Sequence, residues 1–342
     1  MQNENYNQTP EDVSEEEMVY EPEVKRDYLI PASILISSVI LAGAWIYTTG
    51  LKAQTQQKTS IASSQDKAAP VSELENKVLP SQGIELPVVW GDLGAKLVST
   101  GVIDVDKFKA IYEQRGAFTD EYKNLLLGES NGKLKMTSAN SGYLLNLLWA
   151  LGLANKNPIL DTGEMVNPAY GGAGNFASTG GWTIAKGSPM NHYSQHKFFN
   201  LTAEQQALVD KVSRGIYRPC CGNSTHFPDC NHGMAMLGIL ELMASQGVSE
   251  QDMWKTALAV NSHWFPNNYL TIATYMKAKG VDWKDVNPQE MLGINYSSSR
   301  GYANIASQVT QPQQSGGSSG SGCGADAGAP VQQQSQQPGC GI

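Results

Sequence analysis

The sequence is short of positive charge. Its 24 lysines and arginines are set against 32 acids, for a formal charge of −8, and the bases form no patch. A phosphate backbone demands clustered lysine and arginine, so nucleic acid is excluded as the natural partner. Several catalytic patterns are also missing. There is no HExxH, which a zinc peptidase needs, and no GK[ST], which a phosphate loop needs. No Ser/His/Asp order or pair of carboxylates stands out, so the sequence names no reaction and no catalytic residue. Strand-like alternation is scarce, which leaves helical periodicity as the main structural signal.

The negative charge is concentrated at one end. Residues 1–27 hold nine acids and two bases, a net −7, which leaves the rest of the chain close to neutral. Such a segment reads as a solvated, disordered tail. Residues 28–49, YLIPASILISSVILAGAWIYTT, carry no charge. As a helix they cover ~30 Å, the thickness of a bilayer core. Trp45 and Tyr47 stand near one end as interface anchors do, and Pro31 falls in the first turn, where a helix tolerates it. The run is too long and begins too late for a cleaved signal peptide. A single transmembrane anchor is therefore expected, with the membrane as a partner.

Lys25 and Arg26 precede the span, and Lys52 and Lys58 follow it, so charge alone nearly ties on orientation. The Gln-, Ser-, Ala- and Lys-rich stretch after it, within residues 50–85, reads as a flexible linker holding a domain away from the bilayer. This places the domain at 86–308 outside the cytoplasm, at the cell membrane. Residues 309–342 are rich in Gln, Gly and Ser and form a low-complexity tail containing Cys323 and Cys340.

The domain at 86–308 is expected to be all-α, an irregular helical bundle with one long Gly-rich loop. Apolar residues recur at helical spacing over 92–116, with Gly101 between two short helices. Residues 141–154, SGYLLNLLWALGLA, are apolar on nearly every face and predict a buried core helix ending at Asn155. Thr202 with Gln205 forms a capping-box pattern, and Ser249 precedes another helix. Pro266 precedes a further helix closed by Gly280. Between 161 and 188 lies the Gly-rich stretch. Gly172, Gly174 and Ala177 imitate part of a dinucleotide fingerprint, but no strand precedes them, so an ordered loop over the helices is expected instead.

The chemistry is concentrated in YRPCCGNSTHFPDCNHGMAML, residues 217–237. Three of five cysteines and two of five histidines fall there, spaced C-C-x4-H-x3-C-x-H. Thiolates and imidazoles are the donors that soft and borderline metals prefer, so copper or zinc is the expected ligand. A tetrahedral site would draw on Cys220 or Cys221 with His226, Cys230 and His232. Adjacent cysteines point apart in most backbone conformations, so Cys220 and Cys221 are not expected to share one ion. Met234 and Met236 could add thioethers for Cu(I), although methionine at helical spacing usually belongs to a core.

Two other readings stay open. Cys220 or Cys221 paired with Cys230 would close a loop of about ten residues, a disulfide worth roughly 2–3 kcal/mol. Alternatively, a low-pKa cysteine with a nearby partner would make a thiol–disulfide oxidoreductase. His192 and His196 are four apart, a spacing that puts both imidazoles on one helix face, and a hairpin could bring them to the cysteines. His263 reads as helix-end packing.

Two resemblances attach to these residues. From Leu79 to Pro266 the chain resembles an uncharacterised group of membrane-anchored bacterial proteins. Pro219-Cys220-Cys221-Gly222, followed by Cys230 and a helix–Gly-Val-Ser–helix, is similar to the PCYCGC-motif (CYCXC) family of small extracytoplasmic proteins. That similarity implies a Cys-rich metal or redox centre at Cys220, Cys221 and Cys230. It covers some 50 residues, and both the separated cysteines of CYCGC and a later Cys-x-x-Cys are absent here.

Overall fold

Two helices that are apolar all round must be enclosed by the rest of the chain, and the fold is built outward from their pairing. The computed structural model describes residues 73–114, 116 and 118–309. In chain order they form helix α1 (Glu73–Val78), strand β1 (Ile84–Gly91), helices α2 (Leu93–Ser99), α3 (Val105–Glu113) and α4 (Asp120–Leu127), and strand β2 (Asn131–Met136). Helices α5 (Ser141–Ala154), α6 (Pro158–Thr162), α7 (Ala203–Gly215), α8 (Asn231–Ser245), α9 (Glu250–Trp264) and α10 (Pro266–Ala278) follow. Three short helices, α11 (Pro288–Leu292), α12 (Ile294–Ser297) and α13 (Ser299–Ala306), complete the described chain.

The protein is mostly helical, but the all-α expectation needs one correction. β1 and β2 pair antiparallel, with Ile84 opposite Met136 and Gly91 opposite Asn131. β1 turns Leu86, Val88 and Trp90 inward, as a half-buried strand does. Pro87 interrupts that alternation and hides it. The proline is tolerated because the register shifts between Glu85 and Val89, so the ladder is already broken there. The exposed edge is covered by the side-chain amide of Gln246, which accepts from Val89 N and donates to Val89 O, both at 2.8 Å.

α1 falls inside the stretch expected as linker. It is held by Lys77, whose ammonium lies 2.8 Å from Asp282, while Val78 and Leu79 enter the core. Residues 1–72 and 310–342 lie outside the described residues. With them go the acidic tail, the expected membrane span at 28–49, most of the linker and Cys323 with Cys340. Among the described residues no helix is long and apolar enough to cross a membrane.

α5 and α8 cross at glycine. A Cβ on Gly152 would lie 2.0 Å from Met234 O, and one on Gly238 would lie 2.4 Å from Leu148 O. Backbone faces backbone at both points, so no flexible side chain can yield. Gly238→Ala is therefore expected to cost about 1–3 kcal/mol or more by overpacking. Urea unfolding of the variant beside the wild type checks this, and an unchanged midpoint would show that the helices can part freely.

The Gly-rich stretch runs over the helices as a chain of short turns. Trp182 is buried and donates to Val102 O, and Trp149 of α5 donates to Ser178 O. The two indoles meet edge to face. α7 begins with the Thr202–Gln205 capping box and α9 with Ser249 accepting from Asp252 N.

Candidate metal centre

The loop between α7 and α8 is tied down along its length. Tyr217 N donates to Leu292 O, Thr225 N to Ile216 O, His226 N to Ser213 O and Ser178 N to Asp229 O. Phe227 packs among Tyr170 and Phe176 of the Gly-rich stretch. Cys220 and Cys221 sit at the end of a tight turn closed by Cys221 N donating to Arg218 O, and Ser299 N holds the Cys221 carbonyl. Cys230 is the N-cap of α8, its sulfur 3.4 Å from Gly233 N.

This geometry overturns the expectation that the neighbouring cysteines diverge. The turn at 218–221 replaces the extended backbone on which that expectation rested. Both sulfurs face Cys230, giving a nearly equilateral triangle: Cys220–Cys221 3.8 Å, Cys220–Cys230 3.7 Å and Cys221–Cys230 3.8 Å. Three sulfurs bound tetrahedrally at ~2.3 Å from one metal would stand ~3.8 Å apart. The expected disulfide is not formed in this geometry, since no two of Cys220, Cys221 and Cys230 are at bonding distance.

His232, the second residue of α8, brings an imidazole nitrogen within 4.8 Å of the Cys220 and Cys230 sulfurs. Its ring packs against Phe265 and Trp264, and its Nδ1 is buried without a hydrogen-bond partner. An orphaned buried polar atom is costly unless something binds it. Asp229 forms a second candidate set with Cys221 and Cys230. Its oxygens are engaged elsewhere, Oδ1 by Arg218 at 3.0 Å and Oδ2 by Asn223 at 2.8 Å. His232 is thus the better fourth donor.

Beside the sulfurs lies Arg218, fully buried. Burial opposes its charge, but Cys230, Cys221, Cys220 and Asp229 together hold the guanidinium well above its ordinary range. Room for it comes from Gly233, where a Cβ would lie 2.8 Å from the guanidinium carbon. The sulfurs divide the negative charge unequally. Hydrogen bonds from Cys220 and Cys221 hold the Cys230 thiol well below its ordinary value against the cost of burial, and Arg218 and His232 help. Cys220, in hydrogen-bond contact with both neighbouring sulfurs and half-buried, is pushed far up. For Cys221 a hydrogen bond from Cys220 pulls down, but donation to Cys230 and burial outweigh it and push the thiol up to about 12. Of the three sulfurs, Cys230 is thus the one whose surroundings most favour the thiolate.

The other expected ligands lie elsewhere. His226 leaves the cluster because its backbone is bonded to α7. Its Nδ1 is 3.0 Å from Glu164 and its Nε2 2.8 Å from Asp210, on the wall of a groove of about 1060 Å³. His192 and His196 stand on a turn rather than a helix and face each other, in neither sulfur set. Met234 and Met236 belong to the hydrophobic core. His263 Nδ1 donates within α9, to Ala259 O at 2.8 Å, in keeping with helix-end packing. Arg218 and Gly233 were not legible as site residues, because a buried arginine has no sequence signature. No protein-family model, curated protein or solved structure matches the chain, so the donor set itself carries the functional reading.

Proposed function

We propose that Cys220, Cys221, Cys230 and His232 bind one thiophilic metal ion, on a domain held outside the cytoplasm by the apolar segment 28–49. The observation that carries this reading is the sulfur triangle with edges of 3.7–3.8 Å. Four protein donors with no open position make a structural site rather than a catalytic one. Zn2+ suits it best, because three thiolates and a neutral imidazole leave a net charge of only −1 beside the buried Arg218 guanidinium. Cu+ is the competing ion and would leave −2. Outside the cytoplasm three clustered thiols oxidise unless protected, and a bound metal protects them.

A thiol–disulfide oxidoreductase is the second reading, favoured by the half-buried Cys220 beside the Cys230 thiolate. Against it, the activated sulfur is 1% exposed and out of reach of a substrate disulfide. The similarity to the PCYCGC-motif family is compatible with either.

The test uses the full-length chain purified without chelator. Elemental analysis is expected to give one zinc per chain. Replacement by Co2+ should bring thiolate-to-cobalt charge-transfer absorption, and Cys220, Cys221 and Cys230 should resist alkylation until metal is chelated. A metal-free protein with a Cys220–Cys230 disulfide would overturn the metal reading and favour the redox one.

A further inference from the structure

We propose that His192 and His196 form a second metal site, independent of the cysteines, for a borderline divalent ion, with Cu2+ bound most tightly. His192 Nδ1 and His196 Nε2 are 3.1 Å apart. Two imidazoles sharing one ion at ~2.0 Å would stand ~3 Å apart, between the square-planar and tetrahedral values.

The tautomer of His192 is already the one a ligand needs. Its Nε2 lies 3.0 Å from the carbonyl of Lys186, an acceptor only, so Nε2 carries the proton, and the Nδ1 lone pair accepts from His196 Nε2, whose proton a bound ion would displace. A ligating histidine almost always donates its other N–H to a carbonyl or carboxylate in this way.

The backbone is also set in advance. Ser194, between the two histidines, has φ 54°, the only positive value at a non-glycine among the described residues. A left-handed residue of this kind is costly and is kept where the surroundings impose it. Here they do. Ser194 N donates to Leu153 O, and Ser194 Oγ accepts from Asn157 N at 3.1 Å. His196 N donates to Ala154 O, and Lys156 N donates to His196 O. The strained turn thereby holds the two ring nitrogens 3.1 Å apart. His192 is buried and His196 half-buried, so the pair opens to solvent on one side. Water or an exogenous ligand would complete the coordination. Cu2+ leads because affinity for nitrogen donors rises to copper along the divalent series.

The experiment titrates the full-length chain, its cysteine centre first saturated with Zn2+, with Cu2+ and reads bound copper by equilibrium dialysis and electron paramagnetic resonance. One equivalent with two coupled nitrogens is expected. The half-buried His196→Gln should weaken it by at least about 100-fold, beyond the 10–100-fold cost of a lost outer-shell partner. The zinc held at the cysteine centre should stay bound throughout the titration, which separates the two sites. Two outcomes overturn the proposal. One is a wild-type spectrum with one coupled nitrogen or none. The other is equal copper binding by wild type and His196→Gln. The wild-type nitrogen count stands whether or not the variant folds.

Discussion

Cys230→Ser is expected to lower metal affinity by at least two to three orders of magnitude while leaving the fold in place. Structural zinc sites of four donors bind with roughly 10–16 kcal/mol, so each donor carries ~3–4 kcal/mol, or about 10²–10³ in affinity. Cys230 is the donor common to both candidate ligand sets and the sulfur whose surroundings most favour the thiolate, so its loss cannot be shared out among neighbours. Serine is the right probe because Cys230 is also the N-cap of α8 and serine is a favoured cap. The helix start therefore survives, and the change falls on the ion. A ligand that binds only the native state raises stability in proportion to its occupancy. Wild type should accordingly melt higher with metal than with chelator, and the serine variant should melt alike in both. Unchanged metal content in the variant would remove Cys230 from the ligand set and sink the centre as described.

Helices were readable where periodicity and caps agreed. The run 141–154, the Thr202 capping box and Ser249 all predict elements that the structure contains. β1 was not readable, because Pro87 breaks its alternation and its partner β2 is short and largely polar. The site was half legible. Donor chemistry singled out Cys220, Cys221, Cys230 and His232, but spacing could not show that a turn at 218–221 aims neighbouring sulfurs the same way. Nor could it show that the loop turns His226 toward Glu164 and Asp210. His192 and His196 do meet as their spacing suggests, but on a strained turn rather than a helix. Arg218 was invisible, since its role depends on burial against Gly233, three residues beyond the last cysteine of the loop.

Glu241→Gln is expected to stabilise the protein near neutral pH, by an amount that grows with pH. Glu241 lies on α8 with no exposure to solvent, and burial pushes its carboxyl well above the ordinary range against the hydrogen bonds of Asn155 and Asn157. No cation is among the groups that set its charge. The native state thus keeps a proton that the unfolded chain releases above a pKa of ~4.3. From that pH up to the native value the folded state binds more protons, so stability falls as pH rises, by up to about 1.4 kcal/mol per pH unit. Below ~4.3 both states are protonated and the loss vanishes. Glutamine imitates the protonated acid in shape and cannot ionise. Its amide oxygen can keep the 2.9 Å bond that Asn155 Nδ2 gives to Glu241 Oε2. Glu241 Oε1 makes no hydrogen bond of ordinary geometry, the Asn157 amide being only a neighbour of the carboxyl, so the glutamine gives up no such bond there. The glutamine variant should therefore match wild type at pH 4 and unfold at higher urea at pH 7, the gap widening between. Glu241→Ala should instead lose stability at every pH, because it strands Asn155, whose Oδ1 holds Phe198 N in the segment that carries His196. A glutamine variant less stable than wild type at pH 7 would mean that Glu241 is ionised in the native state.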